Sequence, residues 1–165
     1  MTIEEYRAEI SVLSGKLVSE CTARGLRIST AESCTGGLIS GAVTAVSGSS
    51  AVIELGVCSY SNRIKHEVLG VSKDILEKYT EYSVQCAEAM ADGVRRLSGA
   101  DIAVSTTGVA GPTGGTAEHP VGEVCMAVST AGGCRGTRFL FGQRSREEIR
   151  AMAVKKALEL LLEEI

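Results

Sequence analysis

The sequence predicts an α/β protein, a three-layer α/β/α sandwich around a mixed, mostly parallel sheet of about five strands. Three observations support this prediction. Helical periodicities alternate with short apolar strands early in the chain, and a hairpin pattern follows later. Only 4% of the 165 residues are aromatic, so small residues must do much of the packing, which suits helices layered on a sheet. At this length we expect a single domain over residues 1–165.

The first elements are a helix, a strand and a second helix. Apolar residues spaced by three and four predict an amphipathic helix over 3–24, ended by Gly25. "LRISTA" (26–31) predicts a short strand, and apolar residues from Leu38 onwards share one helical face. "AVIELGVCSY" (51–60) is mostly apolar and predicts a buried strand.

Three helices are predicted in the middle of the chain. A short one follows Ser61, and another covers "SKDILEKY" with Ser72 as its N-cap, because a serine hydroxyl accepts from free first-turn amides. The third has an apolar stripe over 87–97 and is ended by Gly99.

The remaining elements complete the sheet. "DIAVSTTG" (101–108) predicts a strand, and two further strands over 122–130 and 134–142 predict a hairpin around "AGG". The last helix opens with a capping box of Ser145 and Glu148. The hairpin requires at least one antiparallel strand, so the sheet must be mixed.

Composition restricts the partners and the location of the protein. The net charge of −3 and the lack of a basic run argue against nucleic acid as a partner. "MTIEEYRAEI" lacks the apolar core of a signal peptide, and no apolar run approaches a membrane span, so we expect no membrane partner and a cytoplasmic location. Apolar helix faces are compatible with a homo-oligomer. The six cysteines form no C-x-x-C pair, which argues against a zinc site and favours small buried hydrophobic side chains.

Three unusual segments each follow a predicted strand: 30–37, 60–65 and 108–116. Ligands of open α/β sheets bind at the carboxyl ends of strands. If the three strands are parallel, these ends share one edge of the sheet, and the segments come together there.

The first segment, "TAESCTGG", contains two possible nucleophiles, Ser33 and Cys34, near the start of a helix. Free amides at a helix start stabilise an oxyanion or a phosphate, and the glycines at 36 and 37 allow a ligand to approach closely. The alternative is a plain strand-to-helix turn, with Ser33 or Thr35 as N-cap and Glu32 in solvent.

The second segment, "YSNRIK", places Tyr60 at the end of a strand and Lys65 one turn into a helix. A serine nucleophile needs a base, and a partly buried lysine with a lowered pKa is a candidate, with the tyrosine as a proton relay. The alternative is a tyrosine at the edge of the core and a surface lysine.

The third segment begins the loop "GVAGPTGGTAEHPVGE", which contains five glycines and both prolines of the chain. Such a loop exposes backbone N–H groups and can form an anion nest. It is not a Walker A loop, and the absence of G-x-G-x-x-G disfavours a nucleotide oxidoreductase. The alternative is a flexible surface loop, although the two prolines argue for a fixed shape.

Together, "AESCTGG", "YSNRIK" and "GVAGPTGG…PVGEV" resemble the C-terminal domain of the CinA (competence-damage inducible) family, over about residues 5–163. The stand-alone members of that family, the PncC proteins, are nicotinamide mononucleotide deamidases. The resemblance therefore implies hydrolysis of this small nucleotide to nicotinate mononucleotide and ammonia, without a metal or another cofactor. It implies Ser33 as the nucleophile, in preference to Cys34, with Tyr60 and Lys65 as its partners. The residues expected to bind substrate are Cys34, Thr35, Gly36, Gly37, Asn62, Gly108, Ala110, Gly111, Pro112, Gly114 and Gly115.

Two other classes of function stay open at this point. The chain is also compatible with a catalytically silent nucleotide-binding module that has the same pocket. The third possibility is a hydrolase that uses the thiol of Cys34.

Overall fold

A five-stranded mixed sheet forms the centre of the protein in the computed structural model, which describes residues 1–165. The spatial order is β2–β1–β3–β4–β5. β1 pairs in parallel with β2 and β3, whereas β4 is antiparallel to both β3 and β5. The strands are β1 Ile28–Glu32, β2 Ile53–Cys58, β3 Ile102–Gly108, β4 Glu123–Thr130 and β5 Gly133–Leu140. The predicted hairpin and the mixed sheet are confirmed.

Helices cover both faces of this sheet, which confirms the three-layer class. The first, second and sixth helices pack on one another on one face, and the fifth helix packs on the other face with the third and fourth beside it. The bounds are α1 Ile3–Arg24, α2 Leu38–Thr44, α3 Asn62–Leu69, α4 Lys73–Tyr79, α5 Val84–Ser98 and α6 Arg146–Glu163. A short 3-10 helix, Ser49–Ala51, precedes β2. No helix has the length and apolar character needed to cross a membrane.

The predicted helix ends are confirmed by their hydrogen bonds. Ser61 and Ser72 accept from backbone amides at the starts of α3 and α4, and Ser145 forms the predicted capping box with Glu148. Gly25 ends α1 with φ of 65°, in the left-handed region that glycine adopts without a steric cost. These local signals act within one turn of the chain, and so they could be recognised in the sequence.

The second strand differs from the sequence prediction of a buried strand. Along β2, half-buried and exposed residues alternate, whereas every residue of β1 is buried. The reason is its position, because β2 lies at the edge of the sheet and pairs only with β1. An apolar run alone does not distinguish an edge strand from a central one.

The parallel strands bring the three unusual segments to one edge of the sheet. Glu32 at the end of β1 lies opposite Cys58 of β2 and opposite Thr106 near the end of β3. The chain leaves these strands into residues 33–37, 59–61 and 109–122, and some residues of each connection line a cleft.

Candidate active site

The cleft at the carboxyl edge of the sheet has a volume of about 600 Å³, including space that is open to solvent. All three segments singled out in the sequence contribute to it. Nine of the predicted site residues line it: Ser33, Cys34, Tyr60, Asn62, Lys65, Gly108, Ala110, Gly111 and Gly114.

The side chains of Lys65 and Ser33 meet at the base of this cleft. Nζ of Lys65 lies 3.1 Å from Oγ of Ser33, within hydrogen-bond distance. Ser33 follows the central strand β1, and its own N–H donates to the carbonyl of Thr106 on β3 at 2.9 Å. Lys65 lies on α3, whose first residues follow the neighbouring strand β2. The register of two parallel strands therefore sets the distance between the two groups.

The surroundings of Lys65 favour a neutral amine. The residue is only 1% exposed and forms no ion pair, and burial lowers the pKa of its amine. Nζ also donates to the carbonyl of Ser59 at 2.9 Å and to that of Tyr60 at 3.5 Å. A neutral amine has two N–H donors and one lone pair. Because the carbonyls of Ser59 and Tyr60 accept from the two N–H groups, the lone pair remains to accept the hydroxyl proton of Ser33.

The plain-turn alternative placed Glu32 in solvent, but the residue is fully buried. Its carboxylate accepts from the N–H groups of Gly37, Ile39 and Ser40 at 2.8–3.1 Å, and from the hydroxyl of Ser40. A carboxylate at a helix start satisfies free amides and complements the helix dipole. The first amides of α2 are therefore occupied, and an oxyanion must bind to other donors.

Two other amides beside Ser33 are free. The N–H groups of Cys34 and Thr35 donate to no other residue of the protein, whereas Gly36 N–H donates to the Ser33 carbonyl. Arg150 donates from Nε to the Cys34 carbonyl at 3.2 Å and from a terminal nitrogen to the Thr35 carbonyl at 3.1 Å. The Cys34 carbonyl and the Thr35 N–H belong to the same trans peptide group, in which they point in opposite directions. The bond from Arg150 to this carbonyl therefore directs the Thr35 N–H away from Arg150.

Tyr60 contacts a partner that the sequence did not indicate. Its side chain is 62% exposed, and its hydroxyl accepts from Arg146 at 3.1 Å instead of bonding to Lys65. The same guanidinium donates to the carbonyl of Gly111 at 2.9 Å. Arg146 is the first residue of α6, and it joins the tyrosine to the glycine-rich loop at the mouth of the cleft. The structure thus places Tyr60 at the rim, without the direct contact that a proton relay requires.

The glycine-rich loop forms the wall opposite α3. Gly108 must be a glycine, because a Cβ there would lie 2.3 Å from the carbonyl oxygen of Glu123. The Gly111–Pro112 peptide bond is cis. The N–H groups of Ala110, Gly111 and Gly114 have no acceptor in the protein, so this wall presents unpaired donors to a ligand.

Five of the residues expected to bind substrate lie outside the cleft: Thr35, Gly36, Gly37, Pro112 and Gly115. The Thr35 side chain is buried and bonds to the hydroxyl of Thr106 at 2.7 Å. Gly36 and Gly37 have φ of 60° and 94°, so they serve the turn between Ser33 and α2. A Cβ on Gly115 would lie 2.8 Å from the side chain of Val121, so this glycine serves packing within the loop.

Five residues that were not predicted from the sequence also line the cleft: Glu81, Tyr82, Val109, Thr113 and Arg146. Val109 and Thr113 lie inside the predicted loop. Glu81 and Tyr82 belong to the connection between α4 and α5, and Arg146 follows the capping serine of α6. None of these three lies in a recognisable motif, and only the folded chain brings them to the site.

The thiol of Cys34 is poorly suited to nucleophilic attack. The residue is 6% exposed, and burial raises the pKa of its thiol to about 12. A thiol acts as a nucleophile through its thiolate, which a raised pKa makes scarce near neutral pH. Although Cys34 lines the cleft, these surroundings favour an inert side chain.

No group of three or more His, Cys, Asp or Glu side chains is arranged to hold a metal ion. The donors that face the cleft are hydroxyls, backbone amides and cationic side chains. Such donors bind anionic groups and oxyanions.

The fold and the cleft define a class of protein: an α/β/α domain with a serine–lysine pair at the carboxyl edge of its sheet. The chain belongs to the CinA family, since residues 11–165 match the model of the CinA C-terminal domain.

Relatives and solved structures agree with this assignment. A CinA-like protein of Anaeromyxobacter sp. (strain Fw109-5) is 46% identical over 157 residues, which cover 95% of this chain and 37% of that protein. A CinA-like protein of Shewanella pealeana is 37% identical over 99% of this chain and 42% of its own length. The chain thus spans about two fifths of the length of these curated relatives.

Among solved structures, the competence/damage inducible protein CihA from Agrobacterium tumefaciens superposes with a TM-score of 0.92 at 43% identity, covering 94% of each chain. A CinA superfamily protein from Escherichia coli gives 0.90 at 33% identity, covering 94% of this chain and 90% of its own.

Proposed function

We propose that this domain hydrolyses the carboxamide of nicotinamide mononucleotide to give nicotinate mononucleotide and ammonia, with Ser33 as the nucleophile and Lys65 as its base. The observation that carries the proposal is the buried Lys65 amine 3.1 Å from the Ser33 hydroxyl, with no salt bridge to hold it in the charged form. A serine hydroxyl becomes nucleophilic only when a base within hydrogen-bond reach removes its proton.

The first half of the reaction forms an acyl-enzyme. The Lys65 amine takes the hydroxyl proton while Ser33 Oγ bonds to the carboxamide carbon, and the carbonyl oxygen becomes an oxyanion. The N–H of Cys34, a residue that lines the cleft, is the nearest free backbone donor along the chain to Ser33, and we assign the oxyanion to it. The free N–H of Thr35 is the next donor along the chain, although Thr35 does not itself line the cleft. The ammonium of Lys65 then returns its proton to the departing nitrogen, the C–N bond breaks, and ammonia leaves.

The second half removes the acyl group with water. Water attacks the ester carbon and gives its proton to the Lys65 amine, which is neutral again after ammonia has left. The ester bond to Oγ breaks, Ser33 regains its proton from Lys65, and the product acid loses its remaining proton to solvent and leaves as a carboxylate.

The nucleotide phosphate suits the mouth of the cleft. Arg146 directs a guanidinium there, and two of its five N–H donors are used by Tyr60 and Gly111, so others are free for a phosphate. The unpaired amides of the glycine-rich loop add neutral donors on the same side. Tyr60 then acts by holding Arg146 in place.

Incubation of the purified protein with nicotinamide mononucleotide, following ammonia and nicotinate mononucleotide together, tests the proposal. Ser33→Ala should lower kcat by roughly 10³-fold or more, because no neighbouring group replaces a covalent nucleophile.

Ser59→Ala is the matched control, since the buried Ser59 hydroxyl has no hydrogen-bond partner and its carbonyl stays in place. Cys34→Ala should also retain most activity. A wild-type protein that binds the nucleotide without releasing ammonia would instead be a silent binding module, and an inactive, folded Cys34→Ala variant would assign the reaction to the thiol.

A further inference from the structure

The cleft contains one carboxylate that the proposed reaction does not use. Glu81 lines the cleft beside Tyr82, and its side chain forms no ion pair with the lysine or the arginine that line the same cleft. Burial raises the pKa of the Tyr82 hydroxyl, and the adjacent Glu81 carboxylate raises it further. A carboxylate left without a cation inside a binding cleft is available to a positively charged ligand.

The backbone around Glu81 is fixed in an unfavourable conformation. Thr80 is the one residue other than glycine with positive φ, at 70°, which a β-branched residue rarely adopts. Several bonds hold this segment. Thr107 donates to the Glu81 carbonyl at 2.6 Å, Tyr82 N–H donates to the Thr80 hydroxyl at 3.2 Å, and the Ser83 hydroxyl donates to the Thr80 carbonyl at 2.8 Å. Strain of this kind is typical of functional segments.

The position of Glu81 relates it to a particular part of the substrate. In the proposed reaction the attacked carbon is bonded directly to the pyridine ring, so the ring must lie next to Ser33 and Lys65. Glu81 is held at the same end of β3 as Ser33, because its carbonyl accepts from the hydroxyl of Thr107, and the preceding residue, Thr106, accepts from the Ser33 N–H. The carboxylate therefore lies on the side of the cleft where the ring is expected, whereas Arg146 lies at the mouth, where the phosphate is expected.

Nicotinamide mononucleotide has the matching charges, because its ring nitrogen is quaternary and positive while its phosphate is negative. We propose that Glu81 recognises the positive charge of the pyridinium ring, so that the site selects cationic-ring nicotinamide nucleotides over those with a neutral ring. This inference rests on the proposed function for the orientation of the substrate.

Binding of two forms of one nucleotide tests this role without requiring turnover. Oxidised nicotinamide mononucleotide has a cationic ring, and its reduced dihydro form has a neutral one. Dissociation constants for both are measured by calorimetry in a Ser33→Ala background, which does not hydrolyse the ligand. We expect the oxidised form to bind about tenfold more tightly, a difference of about 1.4 kcal/mol. Adding Glu81→Gln should reduce this ratio to near one, mainly by weakening the oxidised form.

The matched control is Glu118→Gln, which removes an exposed carboxylate of the glycine-rich loop that lies outside the cleft. It should leave the ratio unchanged. If Glu81→Gln fails to fold, Glu81→Ala provides the same comparison. Equal binding of the two forms in the Ser33→Ala background, or a ratio that Glu81→Gln leaves unchanged, would overturn the role of Glu81.

Turnover by the wild-type protein separates this inference from the proposed function. If the wild-type protein releases ammonia but shows no binding preference for the cationic ring, the deamidase proposal stands and the role of Glu81 is refuted. If the binding preference depends on Glu81 but no ammonia is released, the role of Glu81 stands and the deamidase proposal is refuted.

Discussion

The burial of Lys65 should be measurable in the pH dependence of stability, independently of any activity. The folded-state pKa of this amine is lowered from its usual 10.5 because burial penalises the charged form. Between the lowered value and 10.5, the unfolded chain binds a proton that the folded protein has released. The free energy of unfolding must therefore rise with pH across that window, by up to about 1.4 kcal/mol per pH unit for this one group.

The Lys65→Met variant isolates this contribution, because methionine has no titratable group and a similar length. The quantity of interest is the unfolding free energy of the wild type minus that of the variant, at each pH. This difference should be constant below the folded-state pKa, rise with pH through the window, and become constant again above 10.5.

Urea unfolding followed by far-UV circular dichroism over a pH series provides these free energies. Lys73→Met, at an exposed position at the start of α4, is the control for the loss of one surface lysine. The lowered pKa of Lys65 would be refuted if the unfolding free energy of the wild type minus that of Lys65→Met does not change with pH, or falls as pH rises. The case for Lys65 as a base near neutral pH would fail with it.

Three further predictions concern the rim, the nucleophile turn and the reaction itself. Arg146→Gln should raise KM for nicotinamide mononucleotide about tenfold, because the variant lacks the guanidinium proposed to bind the phosphate. KM for nicotinamide riboside, which has no phosphate, should change little, and steady-state kinetics with both substrates measure the two values. Glu32→Gln should lower the free energy of unfolding by about 2 kcal/mol in chemical denaturation, because a buried carboxylate that accepts from three amides is replaced by a neutral group. Deamidation should survive exhaustive chelation with EDTA, since the proposed steps use only side chains and backbone amides, and loss of activity restored by zinc or magnesium would contradict them.

The elements of the fold and the meeting of Ser33 with Lys65 follow from local patterns and one topological rule. Caps and apolar periodicities act over a few residues, so the sequence indicates where helices begin and end. Parallel strands share a carboxyl edge, and this rule brings the serine and the lysine together once both are known to follow strands. Strand order does not follow from such patterns, and so the edge position of β2 could not be predicted.

Other features of the site depend on which polar groups become buried. Glu32 precedes a helix start, and in the sequence it is equally compatible with a solvated turn or with a buried cap. Its buried carboxylate occupies the first amides of α2, so that between Ser33 and α2 the free amides are those of Cys34 and Thr35. The expected role of the helix start therefore passes to the turn before it. Arg146 and Glu81 reach the cleft from distant elements, and a single charged residue outside a motif gives no signal of such a role.

Ser33 and Lys65, the proposed nucleophile and its base, follow two strands that have different numbers of hydrogen-bonded neighbours in the sheet. Ser33 follows β1, which is hydrogen-bonded on both sides, whereas Lys65 follows β2, which has one neighbour and an irregular register beside Ile28. Edge elements open locally at a lower free energy than central ones. Transient release of the edge strand would separate the base from the nucleophile while the rest of the domain stays intact. Loss of the proposed activity would then precede global denaturation, and it would follow the local stability of β2.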